Sequence, residues 1–419
     1  MTISTSRLCL TALIGFLCVI PTASKIKGDW NHPPPPTKYC TVKHNRNGAD
    51  DSANILKAFT ACSTNSIITF LPANYSAYTP VTLAGLTMLC LTSAADNVII
   101  HLNGNLLLPN NITKTYATPW FYFHGSNVQL IGSADFEWGR FYGFGQHWWD
   151  LGNRTLRPQL ATFNVSGGLL RNLKVIKPVA WGWNLPGTNL RVENHYVDAK
   201  PDNGTRSDTV FMYTGINISG QNITVDGYYG HNGDDCVSVI NGARNVFATN
   251  GFCGFSSHGL SIGSLGSNGS FQTVQGVIFK NWTMDGAVYG ARFKSWTGGA
   301  GFADNVTWED ITLVNVSTAI FITQNNSSTH ISNFKFRNFK GGLNANWING
   351  GDATQSIIFD LYPGTALNIS VGKMVIHPFK KPASATTVIC DPTTLVPGEQ
   401  STLGFDCTRG PYVATPIQA

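Results

Sequence analysis

The stretch Asn222-Ile-Thr-Val225 decides the fold, because short β-prone runs of this kind return along the chain. The later ones are Asn245-Val-Phe-Ala248, Gly276-Val-Ile-Phe279, Asn305-Val-Thr-Trp308, Asn333-Phe-Lys-Phe336 and Ser356-Ile-Ile-Phe359. The steps between them are roughly 23 to 31 residues, and each run is followed within two residues by Asn or Asp, which tolerate turn geometry. A strand that returns once per step, without helices between, predicts the stacked coils of a parallel β-helix.

A two-sheet sandwich is the structural alternative. It would show turns every 8–12 residues or so, with hairpin signals such as Asn-Gly between alternating strands. The observed steps are longer, and we favour the β-helix.

Composition agrees with a single all-β domain. The chain has 419 residues, 43 of them glycine, and only 12% are charged. That length would accommodate two average domains, but long all-β folds also run as one. We find no long amphipathic stretch rich in Ala, Leu, Glu and Lys.

The N-terminus reads as an export signal. Arg7 precedes an apolar run from Leu8 to Ile20, and small residues follow at Pro21-Thr-Ala-Ser24. A run of about 13 residues is too short to span a bilayer comfortably, so a signal is favoured over a membrane anchor. We predict a signal peptide at 1–24, a proline-rich arm at 25–39, which is a plain spacer, and the β-helix domain at 40–419. The mature protein is expected to be secreted, without a membrane association.

Cysteines and sequons fit a secreted protein. Seven of the nine cysteines remain after the signal, and their proximity in sequence predicts the pairs Cys40–Cys62, Cys236–Cys253 and Cys390–Cys407. Cys90 is left over and is expected to be a buried free thiol. Asn-x-Ser/Thr sequons predict N-glycans, at positions that include Asn74, Asn111, Asn153, Asn164, Asn203, Asn268 and Asn305.

The net charge of +5, with a pI near 8.7, suits a polyanionic partner outside the cell. The basic residues are scattered, and no nucleic-acid-binding motif is present, so nucleic acid is not expected. Neither Cys-x-x-Cys nor His-Glu-x-x-His occurs, and we predict no metal and no cofactor.

Three short segments in the middle of the chain carry the groups that chemistry needs. Asp234 and Asp235 follow Gly233, and a bend there would let both carboxylates face one groove. Taken alone, such a pair is more often a solvated turn or a calcium ligand. A lone His258 beside glycine is likewise usually structural. Arg292 and Lys294 differ, because residues at i and i+2 of a strand share one face.

Several tryptophans could stack on sugar rings. For the clusters Trp148-Trp149 and Trp181-Gly-Trp183, core packing is an equally good interpretation. Trp296 follows Lys294 by two and should share its face, so we predict a sugar contact there.

With these segments the chain resembles the polygalacturonase family of glycoside hydrolases. The resemblance rests on Gly233-Asp-Asp-Cys236, Ser257-His-Gly259 followed by Ser261-Ile-Gly-Ser-Leu-Gly266, and Gly290-Ala-Arg-Phe-Lys-Ser-Trp296. It implies a right-handed parallel β-helix and inverting hydrolysis of α-1,4-galacturonosyl linkages in pectin. The sequence around His258 and Arg292 is most similar to that of fungal exo-acting members.

Residue by residue, the resemblance implies five roles. Asp234 would be the general acid and Asp235 would help to activate water. His258 would tune the acid, while Arg292 and Lys294 would hold the carboxylate of the sugar. A capped solenoid of this kind is expected to be a monomer.

One family motif is missing. Members carry Asn-Thr-Asp-Gly about twenty residues before the Asp pair, where this chain reads Phe211-Met-Tyr-Thr-Gly-Ile-Asn217. Thr214 stands where the motif has its aspartate, and a threonine hydroxyl cannot act as a base near neutral pH. Met212 replaces the asparagine, and neither Asp202 nor Asp208 is placed by the sequence to substitute.

This departure leaves three hypotheses. The first is a hydrolase that relies on Asp235 alone. The second is a catalytically weakened or inactive pectin-binding homologue. The third is a calcium-dependent pectate lyase, which fits poorly because elimination has no need of this set of residues.

Overall fold

The strands run parallel and stack coil upon coil, as the recurring runs predict. The computed structural model describes residues 35–83, 95–113, 119–151, 157–202, 213–324, 326–344, 354–383 and 386–407. All of these belong to one compact unit, Pro34–Ala419. The predicted signal at 1–24, most of the predicted arm, and Cys90 lie outside the described residues.

The elements of the first half of the chain are mostly short strands. In chain order they are β1 (Lys38–Thr41), α1 (Ser52–Ala61), β2 (Thr64–Phe70), β3 (Asn74–Ser76), β4 (Val81–Leu83), β5 (Ala95–Leu102), β6 (Asn105–Leu107), β7 (Phe121–Gly132), β8 (Arg140–Tyr142), α2 (Gly145–Asp150), β9 (Ala161–Arg171), β10 (Lys174–Ile176), β11 (Trp183–Leu185) and β12 (Thr188–Asp198).

Longer strands dominate the second half. They are β13 (Ile216–Ile218), β14 (Gln221–His231), β15 (Asp235–Val239), β16 (Arg244–Gly254), β17 (Gly259–Leu265), β18 (Phe271–Asp285), β19 (Tyr289–Ser295), β20 (Ala300–Val316), β21 (Thr318–Thr323), β22 (Ser328–Leu343), β23 (Gln355–Asp360), β24 (Ala366–Leu367), β25 (Ser370–Val371), β26 (Met374–Pro378), β27 (Thr387–Cys390) and α3 (Gln400–Leu403).

Alternate strands pair with one another, so each coil lies on the one before it. The front column consists of β11, β13, β15, β17, β19, β21, β23 and β27, paired in that order. The long column consists of β12, β14, β16, β18, β20 and β22, also paired in order. The fold is therefore a right-handed parallel β-helix, as expected.

Register within the long column confirms the repeat found in the sequence, with one exception. Val246 pairs with Val277, Val277 with Val306 and Val306 with Phe334, so the runs lie directly above one another. The last run, Ser356-Ile-Ile-Phe359, belongs instead to β23 in the front column. Its composition matches the other runs because strands of both columns bury one face in the same apolar core.

Asparagines at the bends of the long strands hold successive coils together, and we name this set the asparagine corner: Asn189, Asn222, Asn245. All three have positive φ, between 55° and 56°, a region that asparagine tolerates better than most residues. The side chain of Asn222 donates to Asn189 Oδ1 at 3.0 Å, and that of Asn245 donates to Asn222 Oδ1 at 3.0 Å. Each bend is therefore secured by the coil before it.

The N-terminal end of the solenoid is capped by α1. Ile55 and Phe59 of this helix are buried in the hydrophobic core. The sequence did not predict this helix, because ten residues form too few turns to show a clear helical period of apolar residues. Pairing also begins at Lys38 in β1, two residues before the domain boundary predicted at 40. Among the described residues, no helix has the length and apolar character needed to cross a membrane.

Candidate active site

The two carboxylates lie on the turn that leads from β14 into β15. Asn232, which is fully buried, holds this turn. Its side-chain amide donates to the carbonyl oxygens of Tyr213 at 3.1 Å, Asp234 at 2.9 Å and Asp235 at 3.0 Å. Asn232 thus binds the turn both to itself and to the preceding coil, which fixes the backbone positions of Asp234 and Asp235.

A shift of register lets neighbouring residues reach the same groove. Pairing between β15 and β17 slips between Asp235 and Val237, a β-bulge of the kind that re-aims side chains. The bend that the sequence predicts at Gly233 is also present, over Gly233 and Asp234. The bulge is a property of the pairing with the next coil, so the local sequence gave no sign of it.

Asp234 accepts hydrogen bonds on both of its oxygens. The backbone N–H of Asp235 donates to Oδ1 at 2.8 Å, and the hydroxyl of Thr214 donates to Oδ2 at 3.0 Å. His258 Nδ1 lies 3.1 Å from Oδ1, a distance at which a protonated Nδ1 donates to the carboxylate. Three donors from three successive coils therefore surround this one carboxylate.

Asp235 is held from one side by a cation. Its Oδ1 accepts from Arg292 Nη1 at 3.1 Å and also from the hydroxyl of Ser261. Arg292 is only 6% exposed, and its Nε has no hydrogen-bond partner among the described residues. This unpaired Nε is enclosed by the protein, so the guanidinium acts in the site through its terminal nitrogens.

The contacts give the two carboxylates opposite pKa shifts. Burial works to raise the pKa of Asp234, but the hydrogen bond from His258, the charges of His258 and Arg292 and the Asp235 N–H outweigh it, so that pKa lies below its ordinary value. Burial raises the pKa of Asp235 above its ordinary value. The positive charge of Arg292 opposes this rise, and the negative charge of Asp234 adds to it.

His258 lies between the pair and the cation. Its Nδ1 is 3.2 Å from Arg292 Nη1 and 3.9 Å from Asp235 Oδ1. The backbone N–H of His258 donates to the carbonyl oxygen of Asp234 at 3.1 Å. The hydroxyl of Ser257 donates to the same oxygen at 2.8 Å. The coil that carries His258 is therefore attached to the turn that carries the acids.

Lys294 is the second cation on β19, one coil beyond His258. Its Nζ lies 4.5 Å from the centre of the Trp296 ring, a cation–π contact, and it forms no ion pair among the described residues. Burial first, and then the charge of Arg292, lower the pKa of Lys294 to about 8. The contact agrees with the shared face that the spacing of Lys294 and Trp296 predicts.

The segment that departs from the family motif is only partly described. Thr214 is 4% exposed and contacts Asp234 directly, whereas Phe211, Met212 and Asp208 lie outside the described residues. Asp202 forms an ion pair with Lys177 at 2.8 Å. It is therefore engaged elsewhere.

The tryptophan clusters divide between core and surface. Trp148, Trp149 and Trp183 are buried in the hydrophobic core. Trp181, by contrast, is 42% exposed. Core packing is thus the correct interpretation for three of these four side chains.

The three predicted disulfides are formed, and one of them supports the site. Cys236–Cys253 joins the coil of Asp235 to the strand before His258, while Cys40–Cys62 and Cys390–Cys407 lie towards the two ends of the chain. The sulfurs of Cys236 and Cys253 are buried beside the hydroxyl of Ser257. This disulfide therefore stiffens the two segments that carry the acids and the histidine.

The acids and the histidine are also the kind of group that could bind a metal. One ligand atom from each of Asp234, Asp235 and His258 lies within 4.8 Å of the others. The guanidinium of Arg292 reaches into this set, however, and contributes a positive charge that would repel a cation. The arrangement suits an ion-paired acid/base centre better than a metal centre.

Comparison with known proteins places this geometry in a family. The model of glycosyl hydrolases family 28 matches residues 77–344. The chain belongs to that family.

Several of its named relatives are fungal. It is 30% identical over 449 aligned positions to a "Probable exopolygalacturonase C" of Aspergillus flavus, covering 96% of this chain and 99% of that one. It is 31% identical over 418 positions to the protein of the same name from Aspergillus terreus, covering 90% and 93%.

Solved structures agree on the fold. The endo-xylogalacturonan hydrolase from Aspergillus tubingensis superposes with a TM-score of 0.74 at 20% identity, covering 89% of this chain and 99% of that one. A polygalacturonase from Erwinia carotovora ssp. carotovora gives 0.62 at 17% identity, covering 85% and 97%. At these identities the likeness supports the β-helix and says nothing on substrate.

Proposed function

We propose that this protein is a secreted exo-acting polygalacturonase, which hydrolyses α-1,4-galacturonosyl linkages of polygalacturonate with inversion. Membership of a glycoside hydrolase family favours hydrolysis over elimination. The names of the fungal relatives favour polygalacturonate and attack at a chain end. Three disulfides fit an oxidising compartment.

The observation that carries this proposal is a pair of nearly buried cations with unused donors. Arg292 and Lys294 are each 6% exposed and lie on one strand beside the two carboxylates. Lys294 forms no ion pair among the described residues, and Arg292 contacts Asp235 and His258 through Nη1 alone, so each keeps donors that these residues do not use. Burying such charge is unfavourable unless an anion completes it, and a uronic acid supplies a carboxylate on every sugar.

The chemistry divides between the two aspartates. Asp234 donates a proton to the leaving glycosidic oxygen, and Asp235 removes one from the attacking water. Arg292 and Lys294 hold the carboxylate of the sugar, while Trp296 supports Lys294 and offers its ring edge to the substrate. His258 orients Asp234 through Nδ1.

The spacing of the carboxylates does not by itself report stereochemistry. In most inverting enzymes the two carboxyl groups lie about 6.5–9.5 Å apart, which leaves room for the attacking water. Here the closest ligand atoms lie within 4.8 Å, since both residues come from one turn. The water has to bind at the side of the pair, next to Asp235.

The alternative that Thr214 raises is a catalytically weakened or inactive pectin-binding homologue, which the names of the fungal relatives do not favour. One assay separates the possibilities. The purified protein is incubated with polygalacturonate, with and without chelator, while reducing ends and the absorbance of unsaturated product are followed. We expect reducing ends that do not depend on chelator and no unsaturated product.

Tight binding without product would support the binding homologue and exclude the enzyme. Unsaturated product that disappears with chelator would establish a lyase. Chromatography of early products tests exo action, for which we expect monomer or dimer alone, whereas a ladder of oligomers would show internal cleavage.

Glycosylation and oligomeric state remain predictions. Intact mass before and after deglycosylation is expected to fall by the mass of several N-glycans. Size-exclusion chromatography with light scattering is expected to show a monomer. An unchanged mass or a dimer would correct these two statements without touching the catalytic proposal.

A further inference from the structure

The two carboxylates differ in how many of their oxygens accept hydrogen bonds from the protein. Asp234 accepts on both oxygens: Oδ1 from the Asp235 N–H and His258, Oδ2 from Thr214. Asp235 accepts on Oδ1 alone, from Arg292 and Ser261, and its Oδ2 has no donor among the described residues. A proton can therefore bind to Asp235 Oδ2 without changing any hydrogen bond, whereas a proton on Asp234 requires one of its donors to reverse its role.

Thr214 supplies the donor on the second oxygen of Asp234, whereas the other two donors act on Oδ1. The Asp235 N–H is part of the main chain, and His258 also lies beside Asp235 and Arg292. The hydroxyl of Thr214, buried and 3.0 Å from Oδ2, is the one contact on that oxygen among the described residues. The backbone also fixes Thr214 on both sides, since its carbonyl accepts from Gly182 N–H at 2.9 Å and the Asp234 N–H donates to Tyr213 O at 3.2 Å.

We infer that Thr214 is a positioning residue that keeps Asp234 charged in the free protein, so that the proton shared by the two carboxylates resides on Asp235. The effect of Thr214 on catalysis rests on the proposed function, whereas its effect on the protonation of Asp234 does not. The opposite pKa shifts of the two groups point the same way.

The location of this proton matters for turnover. Each hydrolysis moves one proton from Asp234 to the leaving oxygen and one from water to Asp235, so the pair ends with the proton on Asp235. That is also the favoured state of the free protein. Before the next turnover the proton on Asp235 has to be released and another bound to Asp234 Oδ2, where the Thr214 hydroxyl turns from donor to acceptor.

An aspartate at position 214 would invert the preference. A second carboxylate about 3 Å from Asp234 disfavours the charged form of both, and one of the two then holds a proton. The other charged groups that face the pair are the same in either case. They are His258 from the next coil, and Arg292 and Lys294 from the coil after it.

The direct test is a carbonyl-carbon NMR titration of the aspartate side chains, with signals assigned by their loss in D234N and D235N. In the unsubstituted protein we expect Asp234 to titrate at lower pH than Asp235. In T214V the midpoint of Asp234 should rise, in T214S it should stay, and in T214D it should rise above that of Asp235. The inference is wrong if Asp234 titrates above Asp235 without substitution, or if T214V moves neither midpoint.

The activity arm uses the pH dependence of kcat on polygalacturonate. Since the acid has to be protonated, activity falls as pH rises through the pKa of Asp234, and raising that pKa moves the alkaline limb upwards. Each unit of rise increases the productive fraction by up to about tenfold, so T214D should be faster than the unsubstituted protein. A kcat profile that T214D and T214V leave in place would overturn the inference.

The NMR titration and the activity assay distinguish failure of the proposed function from failure of the role inferred for Thr214. A protein that is inactive on polygalacturonate would refute the proposed function, while the NMR titration would still decide the role of Thr214. If T214D does not fold, T214V and T214S are sufficient. T323V is the matched control for stability, because Thr323 is also buried on the front column and donates to Asp360 Oδ2 at 2.7 Å.

Discussion

The asparagine corner and the candidate active site are built by opposite means on neighbouring sides of one solenoid. At the corner an uncharged amide recurs from coil to coil, and each one is satisfied by the amide before it. At the site every group occurs once, most are charged, and Arg292 retains an unused donor. The repeated contacts stabilise the fold, whereas the unrepeated ones leave capacity for a substrate.

This difference predicts that substitutions at the two places affect different quantities. Changes at the corner should lower the free energy of unfolding and leave catalysis alone. Changes at the site should lower kcat and leave the free energy of unfolding nearly unchanged. The reason is that a polar site whose groups lack some hydrogen-bond partners contributes little to stability.

The largest effect is expected for Asp234→Asn. The amide has the shape of the carboxylate but cannot donate the proton, so kcat should fall by roughly 10²–10⁴ with little change in Tm. Asp304→Asn is the matched control, since Asp304 also accepts hydrogen bonds, from Ser332 and Asn333, but lies on the long column. Reducing-end rates for both variants test this; equal losses would mean that the site has been placed on the wrong face.

Next come the two disulfides that close loops of equal length. Cys236–Cys253 and Cys390–Cys407 each have a sequence separation of 17, so the loop-closure contribution to stability is the same, about 3 kcal/mol. Replacing either pair with alanine should lower the denaturation midpoint similarly. Only the first replacement should also lower kcat, because it joins the segments of Asp235 and His258.

Denaturant titration and initial rates, measured on both double variants, distinguish the two disulfides. If the C390A/C407A protein lost as much kcat as the C236A/C253A protein, the disulfide at the site would have no special role in catalysis.

A smaller effect concerns the pH dependence of substrate binding. The pKa of Lys294 is lowered to about 8, so the side chain is a cation below that pH and neutral above it. Binding of oligogalacturonate should therefore weaken as pH rises through about 8, by up to about tenfold. Calorimetry with the D234N protein, which does not turn substrate over, measures this directly.

Lys294→Arg supplies the control for that titration, because a guanidinium stays charged throughout. The weakening above pH 8 should disappear in this variant. If it persisted, another group would be responsible for the loss of affinity.

The smallest effect is expected at the corner. Asn245→Ala removes the hydrogen bond to Asn222 and places a Cβ-bearing residue without a local hydrogen bond at positive φ. The loss should be about 1–2 kcal/mol of unfolding free energy, with kcat unchanged. Asn245→Gly keeps the backbone conformation accessible and should lose less; an equal loss in both variants would assign the whole effect to the hydrogen bond.

The sequence predicted the fold well because the fold repeats. Runs such as Asn245-Val-Phe-Ala248 and Gly276-Val-Ile-Phe279 signal the coils, and in the structure these two runs pair with each other in the long column. What the sequence could not show was the column to which a run belongs, since Ser356-Ile-Ile-Phe359 has the same pattern in a different sheet. The asparagines that begin the runs carried the signal for the corner, but their mutual contact spans a whole coil.

The site was predictable as a set of residues and not as a set of contacts. Asp234, Asp235, His258, Arg292 and Lys294 are brought together as expected. The bulge at Asp235 and the hydrogen bond from Thr214 depend on pairing between coils, which no local pattern specifies. Thr214 had suggested only a missing base, and its contact with Asp234 gives it a role of its own.

The measurement that tests the central claim most directly is a proton NMR time course of the first sugars released from polygalacturonate. Inverting hydrolysis of an α-linkage at this site predicts that the β-anomer of the new reducing end appears first and then mutarotates, and that no signal appears with the D234N protein. Appearance of the α-anomer first, or of an unsaturated sugar, would contradict the account.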